Sequence, residues 1–279
     1  VSDTLAVVHS QSASKDSRSL KKLERQFDIG LRWLRCGGRL LQRNPYVLLG
    51  MAFVALAILL ALGTIPLFGN ILVALVVPIF ASSAVLVADE LSKQKMALPA
   101  SLRTAALMRG PKELFRVFTD EERLFPVLVL CLYVSIVALL ATIAAHLLTG
   151  GAWASAWASL GIVGMLKVST AWLLVLFIYF VIGASLAYAI PLAFLQDEPL
   201  VPALGRSFRA SAKHMLALAV IFGLLLVPFA LGKFVLQFSA PAGYVVWLLG
   251  GVIALPLTIT SCYCSYRTAF PTKSPAEHQ

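Results

Sequence analysis

The chain has 279 residues, of which 59% are hydrophobic and 13% charged, with a net charge of +10. No soluble fold has enough interior to hide that much apolar surface, so lipid is the expected solvent for most of it. The excess of Lys and Arg points first to nucleic acid, but its placement along the chain favours membrane topology instead.

Residues 1–44 have no apolar core of a cleavable signal peptide; residues 1–19 are Ser-rich and polar, and the expectation there is a disordered tail. The first membrane segment is expected to act as an uncleaved signal-anchor. Over residues 20–44, Leu20, Leu23, Phe27, Leu31, Leu34, Gly38 and Leu41 recur at spacings of three and four, which makes one face of a helix. Arg32, Arg35, Arg39 and Arg43 form a stripe beside that face. This is the pattern of a helix lying in the headgroup plane, with the four arginines meeting anionic lipid. Such a helix senses lipid or docks a partner, or it merely fixes the first span. Pro45 marks the joint.

A spanning helix needs about 20 apolar residues. Six segments qualify: Tyr46–Ile65, Asn70–Ala88, Leu124–Leu148, Leu160–Leu195, Met215–Leu236 and Tyr244–Tyr266. The fourth would run to about 54 Å as one helix, too long for a simple crossing. Lys167 near its start suits a side chain reaching the outer headgroups. The expected fold is therefore all-α: a polytopic bundle of six spans as three hairpins, a single membrane domain over 20–270, and a polar tail at 271–279. The outer turns are Gly63–Asn70, Thr149–Ser159 and Gly232–Gly243.

Twenty-one of the 23 Lys and Arg fall on one side of these spans; only Lys167 and Lys233 fall on the other. The positive-inside rule places the rich side, and both termini, in the cytoplasm. All 13 Asp and Glu lie on that side too, outside every expected span. Proton-coupled carriers and intramembrane aspartyl proteases use buried carboxylates, so both are disfavoured.

The repeat structure is faint. Leu34, Arg39, Arg43 and Asn44 align with Leu204, Arg209, Lys213 and His214 at a constant offset of 170. Each returning span carries a proline, Pro78, Pro191 or Pro256. A proline inside a helix removes a donor and bends the helix, so bends or local breaks are expected. The freed carbonyls of Ala74, Ala187 and Val252 would then meet polar groups. Such breaks build substrate sites in some carriers and only shape the bundle in others.

The stretches Arg39-Leu-Leu-Gln-Arg-Asn-Pro-Tyr-Val-Leu-Leu-Gly, Ala203-Leu-Gly-Arg-Ser-Phe-Arg-Ala-Ser-Ala-Lys-His and Tyr263-Cys-Ser-Tyr-Arg resemble the YciC-like multi-pass inner-membrane proteins of proteobacteria. The resemblance covers about residues 29–270, and His214 stands where relatives tend to have Asn. It implies six spans and an inner-membrane location, and it carries over no catalytic residue.

No nucleotide-binding loop, zinc-protease pattern or nucleophile elbow occurs. No enzyme activity, cofactor or metal site is expected. Lys167, His146, Ser82, Ser83, Ser135 and Ser185 are the polar groups whose convergence would overturn that; otherwise the serines bond their own helix carbonyls. The cysteines, Cys36, Cys131, Cys262 and Cys264, all fall toward the reducing side, so no disulfide is expected. The leading reading is a non-enzymatic membrane protein acting through anionic headgroups on the cytoplasmic side, a membrane-protein partner or its own copies, and not through nucleic acid. The alternative is a transporter or flippase-like carrier for an apolar or lipid substrate.

Overall fold

The computed structural model describes residues 2–43, 45–63, 65, 69–93, 112–115, 121–149, 162–236 and 238–271. Eight long helices carry the fold: α1 (Ser2–Arg43), α2 (Pro45–Gly63), α3 (Gly69–Lys93), α4 (Glu121–Thr149), α5 (Ile162–Leu195), α6 (Leu200–Lys213), α7 (Met215–Leu236) and α8 (Ala240–Ala269). No strand occurs among the described residues.

Five of these helices are long and apolar enough to cross a membrane: Pro45–Gly63, Ile71–Lys93, Leu124–Ala141, Met215–Leu236 and Pro241–Ala269. The chain thus has the helices of a multi-pass membrane protein. α4 shows why no aqueous fold suits them. Val127, Leu130, Val134 and Ala138 are buried on one face, while Leu128, Leu132, Ile136 and Leu140 are exposed on the other. A helix apolar all round needs an apolar solvent outside. The fourth apolar segment is one continuous helix of 34 residues, about 51 Å long at 1.5 Å per residue.

The pairs α2–α3, α4–α5 and α7–α8 each pack together. α8 is the hub, touching α1, α2, α3, α5 and α7. Close approach, rather than apolarity, holds membrane helices together, because lipid is as apolar as the side chains. Glycines mark those approaches. A Cβ on Gly232 would meet Trp247 at 2.9 Å, and one on Gly250 would run into Pro228.

The helices continue through Pro78, Pro191 and Pro256, so the expected local breaks are absent. Proline is not confined to returning spans either, since Pro228 lies inside α7. In α8 the Thr260 hydroxyl donates to the Pro256 carbonyl at 2.9 Å, and Thr258 donates to Ala254 at 2.8 Å. Such back-bonding adjusts a helix around a proline without breaking it.

α1 departs from expectation twice. Its helical backbone begins at Ser2, through the stretch assigned to a disordered tail. No Gly or Pro precedes Gly30, so nothing in the sequence breaks the helix earlier. Its packed face also differs from the leucine face. Gly30, Trp33, Gly37 and Leu40 are buried, while Leu23 and Phe27 are exposed. At about 100° per residue, the arginine face lies about 135° to one side of the packed face and the leucine face about 95° to the other.

Candidate functional site at the basic end of the bundle

α1 crosses the start of α7 and the end of α8. A Cβ on Gly30 would meet the Ala217 carbonyl at 2.9 Å, and one on Gly37 would meet the Ser261 amide nitrogen at 2.7 Å. One residue from that contact, Cys36 and Cys264 form a disulfide across a Cα–Cα distance of 6.2 Å. The expectation of four free thiols is therefore overturned. The pair is 228 residues apart in sequence, and the Gly37 contact is what brings it together. Cys131 and Cys262 remain free.

α6 repeats the arrangement of α1. At the offset of 170, Trp33 and Gly37 fall on Ala203 and Ser207, and all four are buried. Ser207 and Ser211 donate to the Ser185 and Ala184 carbonyls of α5, both at 2.5 Å. These bonds fix the rotation of α6. Arg206, Arg209 and Lys213, at spacings of three and four, are left together on an exposed face. A tight turn joins α5 to α6: Asp197 takes a positive φ of 52°, a region that Asp enters more readily than most residues.

The α6 cations surround a pocket of about 500 Å³ whose wall is completed by His214, Ala269 and Phe270. Arg206 donates to Glu198 at 2.8 Å and lies 5.3 Å from the Phe270 ring centroid. Arg209 bonds only weakly to the Gly205 carbonyl, at 3.3 Å. Among the described residues no acid pairs with Arg209 or Lys213. The His214 ring meets Trp33 of α1 edge-on at 5.6 Å, and its buried Nδ1 has no hydrogen-bond partner among the described residues. Burial, and then the charge of Lys213, lower the pKa of His214, which keeps the imidazole neutral near pH 7.

A second cluster lies at the end of α3. Asp89, expected just beyond the second span, is inside the helix and only 9% exposed. The Tyr263 hydroxyl donates to its Oδ1 at 2.7 Å and contacts the Ser92 hydroxyl at 2.9 Å. Lys93 pairs with Oδ2 at 2.6 Å. The spans are thus not free of acid, because α3 runs past Ala88 and carries Asp89 into the bundle. The carboxylate accepts from the Tyr263 hydroxyl of α8 and pairs with Lys93, so the arrangement ties α3 to α8.

The four arginines singled out in α1, Arg32, Arg35, Arg39 and Arg43, are all exposed on one face. Of the serines, Ser185 bonds its own helix at Val181, 2.7 Å away, while the Ser82, Ser83 and Ser135 hydroxyls are buried with no partner among the described residues. The side chains of His146 and Lys167 lie outside the described residues. Among the described residues no three His, Cys, Asp or Glu are grouped to hold a metal.

The Tyr263-Cys-Ser-Tyr-Arg stretch gathers these features at one end of the bundle. Tyr263 holds α3, Cys264 holds α1, and Tyr266 packs 5.9 Å from Phe270, which lines the pocket and lies 5.8 Å from Tyr188 of α5. Set beside known proteins, the chain matches no family model, no curated protein and no solved structure.

Proposed function

We propose that the chain is a non-enzymatic protein of the bacterial inner membrane that works through anionic lipid headgroups at its basic, cytoplasmic end. In this reading it has six spans as three hairpins, α5 being the sixth crossing, and both termini are cytoplasmic. It belongs with the YciC-like proteins it resembles. The observation that carries the proposal is the facial order shared by α1 and α6. Each helix turns a buried face with small residues at its closest contacts to the bundle, exposed apolar residues outward, and basic residues to the third side. A helix in the headgroup plane needs those three faces when it also borders a bundle. The apolar faces carry Leu23 and Phe27 on α1 and Val201 and Phe208 on α6.

The test is lipid selectivity of the full chain reconstituted in mixed phosphatidylglycerol and phosphatidylcholine bilayers, read from spin-labelled lipid at the protein boundary. Phosphatidylglycerol should be enriched at least about twofold at low salt and should lose most of that preference as salt screens the charges. Replacing Arg32, Arg35, Arg39 and Arg43 with Gln should reduce it. Equal partition of the two lipids at low salt would contradict the proposal.

A further inference from the structure

We infer that the pocket between α6 and the end of α8 is a specific phosphate-binding site, distinct from the diffuse arginine face of α1. The inference rests on the proposed reading of this end as the headgroup end, and it assigns a place where a phosphate is captured and not merely attracted.

Three observations converge. The pocket has about 500 Å³, within the range of about 300–1,000 Å³ typical of small-molecule sites. That is room for a phosphate with an attached polar group, and more than a bare ion requires. Its cations come from a helix whose rotation is locked by two buried hydrogen bonds, Ser207 to Ser185 and Ser211 to Ala184. Arginines fixed in this way differ from a solvated charge run, because little of their alignment is lost on binding. The charges are also unevenly committed. Arg206 is neutralised by Glu198 and stacked against Phe270, so it builds the wall. Arg209 and Lys213 have no acid among the described residues, and they are the groups left to meet an anion. His214 also lines the pocket, while its Nδ1 is covered by protein and has no hydrogen-bond partner among the described residues. The ring therefore forms part of the wall and adds no acceptor within reach of a ligand.

The ligand chemistry is therefore a phosphate ester held by Arg209 and Lys213, with two sources: a phospholipid headgroup entering from the bilayer, or a soluble phosphate from the cytoplasm.

The experiment is calorimetric titration of the purified full chain in neutral detergent with three probes: dihexanoyl phosphatidylglycerol, glycerol 3-phosphate and inorganic phosphate. Wild-type protein should bind the lipid. Binding of glycerol 3-phosphate with similar affinity, and its competition with the lipid, would identify a soluble ligand; binding of the lipid alone would identify a headgroup site. Either result supports the pocket provided that Arg209→Gln with Lys213→Gln weakens it about tenfold or more, as expected from two cations near an anion. Ala210→Phe keeps both charges but fills the pocket, and should weaken binding as much; it guards against a fold defect in the double variant. Arg35→Gln with Arg39→Gln asks whether the probe is held at the α1 face instead, and Lys112→Gln, outside both basic faces, should leave this affinity unchanged. If the pocket variants bind as wild type while the α1 variant loses affinity, the pocket assignment is wrong and the broader lipid reading stands. If the wild type binds none of the three probes, the pocket assignment is overturned. The broader reading then depends on the boundary-lipid measurement alone.

Discussion

Gly37→Leu should detach α1 from the bundle. The Cβ position at residue 37 lies 2.7 Å from the Ser261 nitrogen and 2.9 Å from its Cα. These are backbone atoms that yield only if two helices move apart. Overpacking a tight contact typically costs about 1–3 kcal/mol, and a leucine against backbone belongs at the upper end. The readout is the link between Cys36 and Cys264. In membranes treated with a mild oxidant, the wild-type chain should give the joined 36–264 peptide pair in high yield by mass spectrometry. Gly37→Leu should reduce that yield severalfold. Gly38→Leu is the control: the nearest atom to a Cβ there is Leu257 Cδ1 at 3.9 Å, so the yield should match wild type. Equal yields from Gly37→Leu and wild type would show that α1 does not depend on this contact. The disulfide itself contributes about 2–4 kcal/mol in typical cases. Reducing conditions should therefore loosen α1 without releasing it, because the glycine contact remains.

Asp89→Leu should destabilise the protein more than Tyr263→Phe, and Asp89→Asn should do so least. The leucine leaves the Tyr263 hydroxyl at its buried position without its carboxylate acceptor, a loss of about 1–3 kcal/mol. Asparagine keeps an acceptor oxygen at the same place. The measurement is thermal unfolding in detergent, with expected shifts of several degrees for Asp89→Leu. The double variant Asp89→Asn, Tyr263→Phe should lose less than the sum of the singles, because the two share one hydrogen bond. A wild-type melting profile for Asp89→Leu would show that the tie between α3 and α8 adds nothing to stability.

The apolar runs made the spans legible, since length and hydropathy decide them without knowledge of partners. The pairing of neighbours followed from short connections. The packed face of α1 was not legible from apolarity. Leu20, Leu23, Phe27, Leu31, Leu34, Gly38 and Leu41 are the more apolar set, yet the bundle buries Gly30, Trp33, Gly37 and Leu40, and of the leucine face, among the described residues, only Leu34 and Leu41 pack against the core. Between membrane helices, close backbone approach outweighs apolarity, and the signal was there as glycines seven residues apart. A charge at the end of an apolar run reads as the end of a span, but the helix runs on past Asp89 and a tyrosine 174 residues away takes up the carboxylate. Separation also hid the cysteine pair and Phe270. Arg206, Arg209 and Lys213 were visible as topology charges, but the pocket needs the end of α8, which no local pattern brings to them. Offset matching did find the second amphipathic helix. Its weight lies in Arg209 and Lys213, which stand on an outward face in α6 as Arg39 and Arg43 do in α1.

The claim beneath all of this is that the end bearing α1, α6 and the pocket faces the cytoplasm. Single cysteines placed by Arg39→Cys, Lys112→Cys and Arg209→Cys, in a chain whose four native cysteines are replaced by Ala, test it directly with a membrane-impermeant maleimide. All three should stay unlabelled in intact spheroplasts and become labelled once the membrane is opened. Labelling of any of them from outside the intact membrane would contradict the orientation, and with it the cytoplasmic headgroup reading.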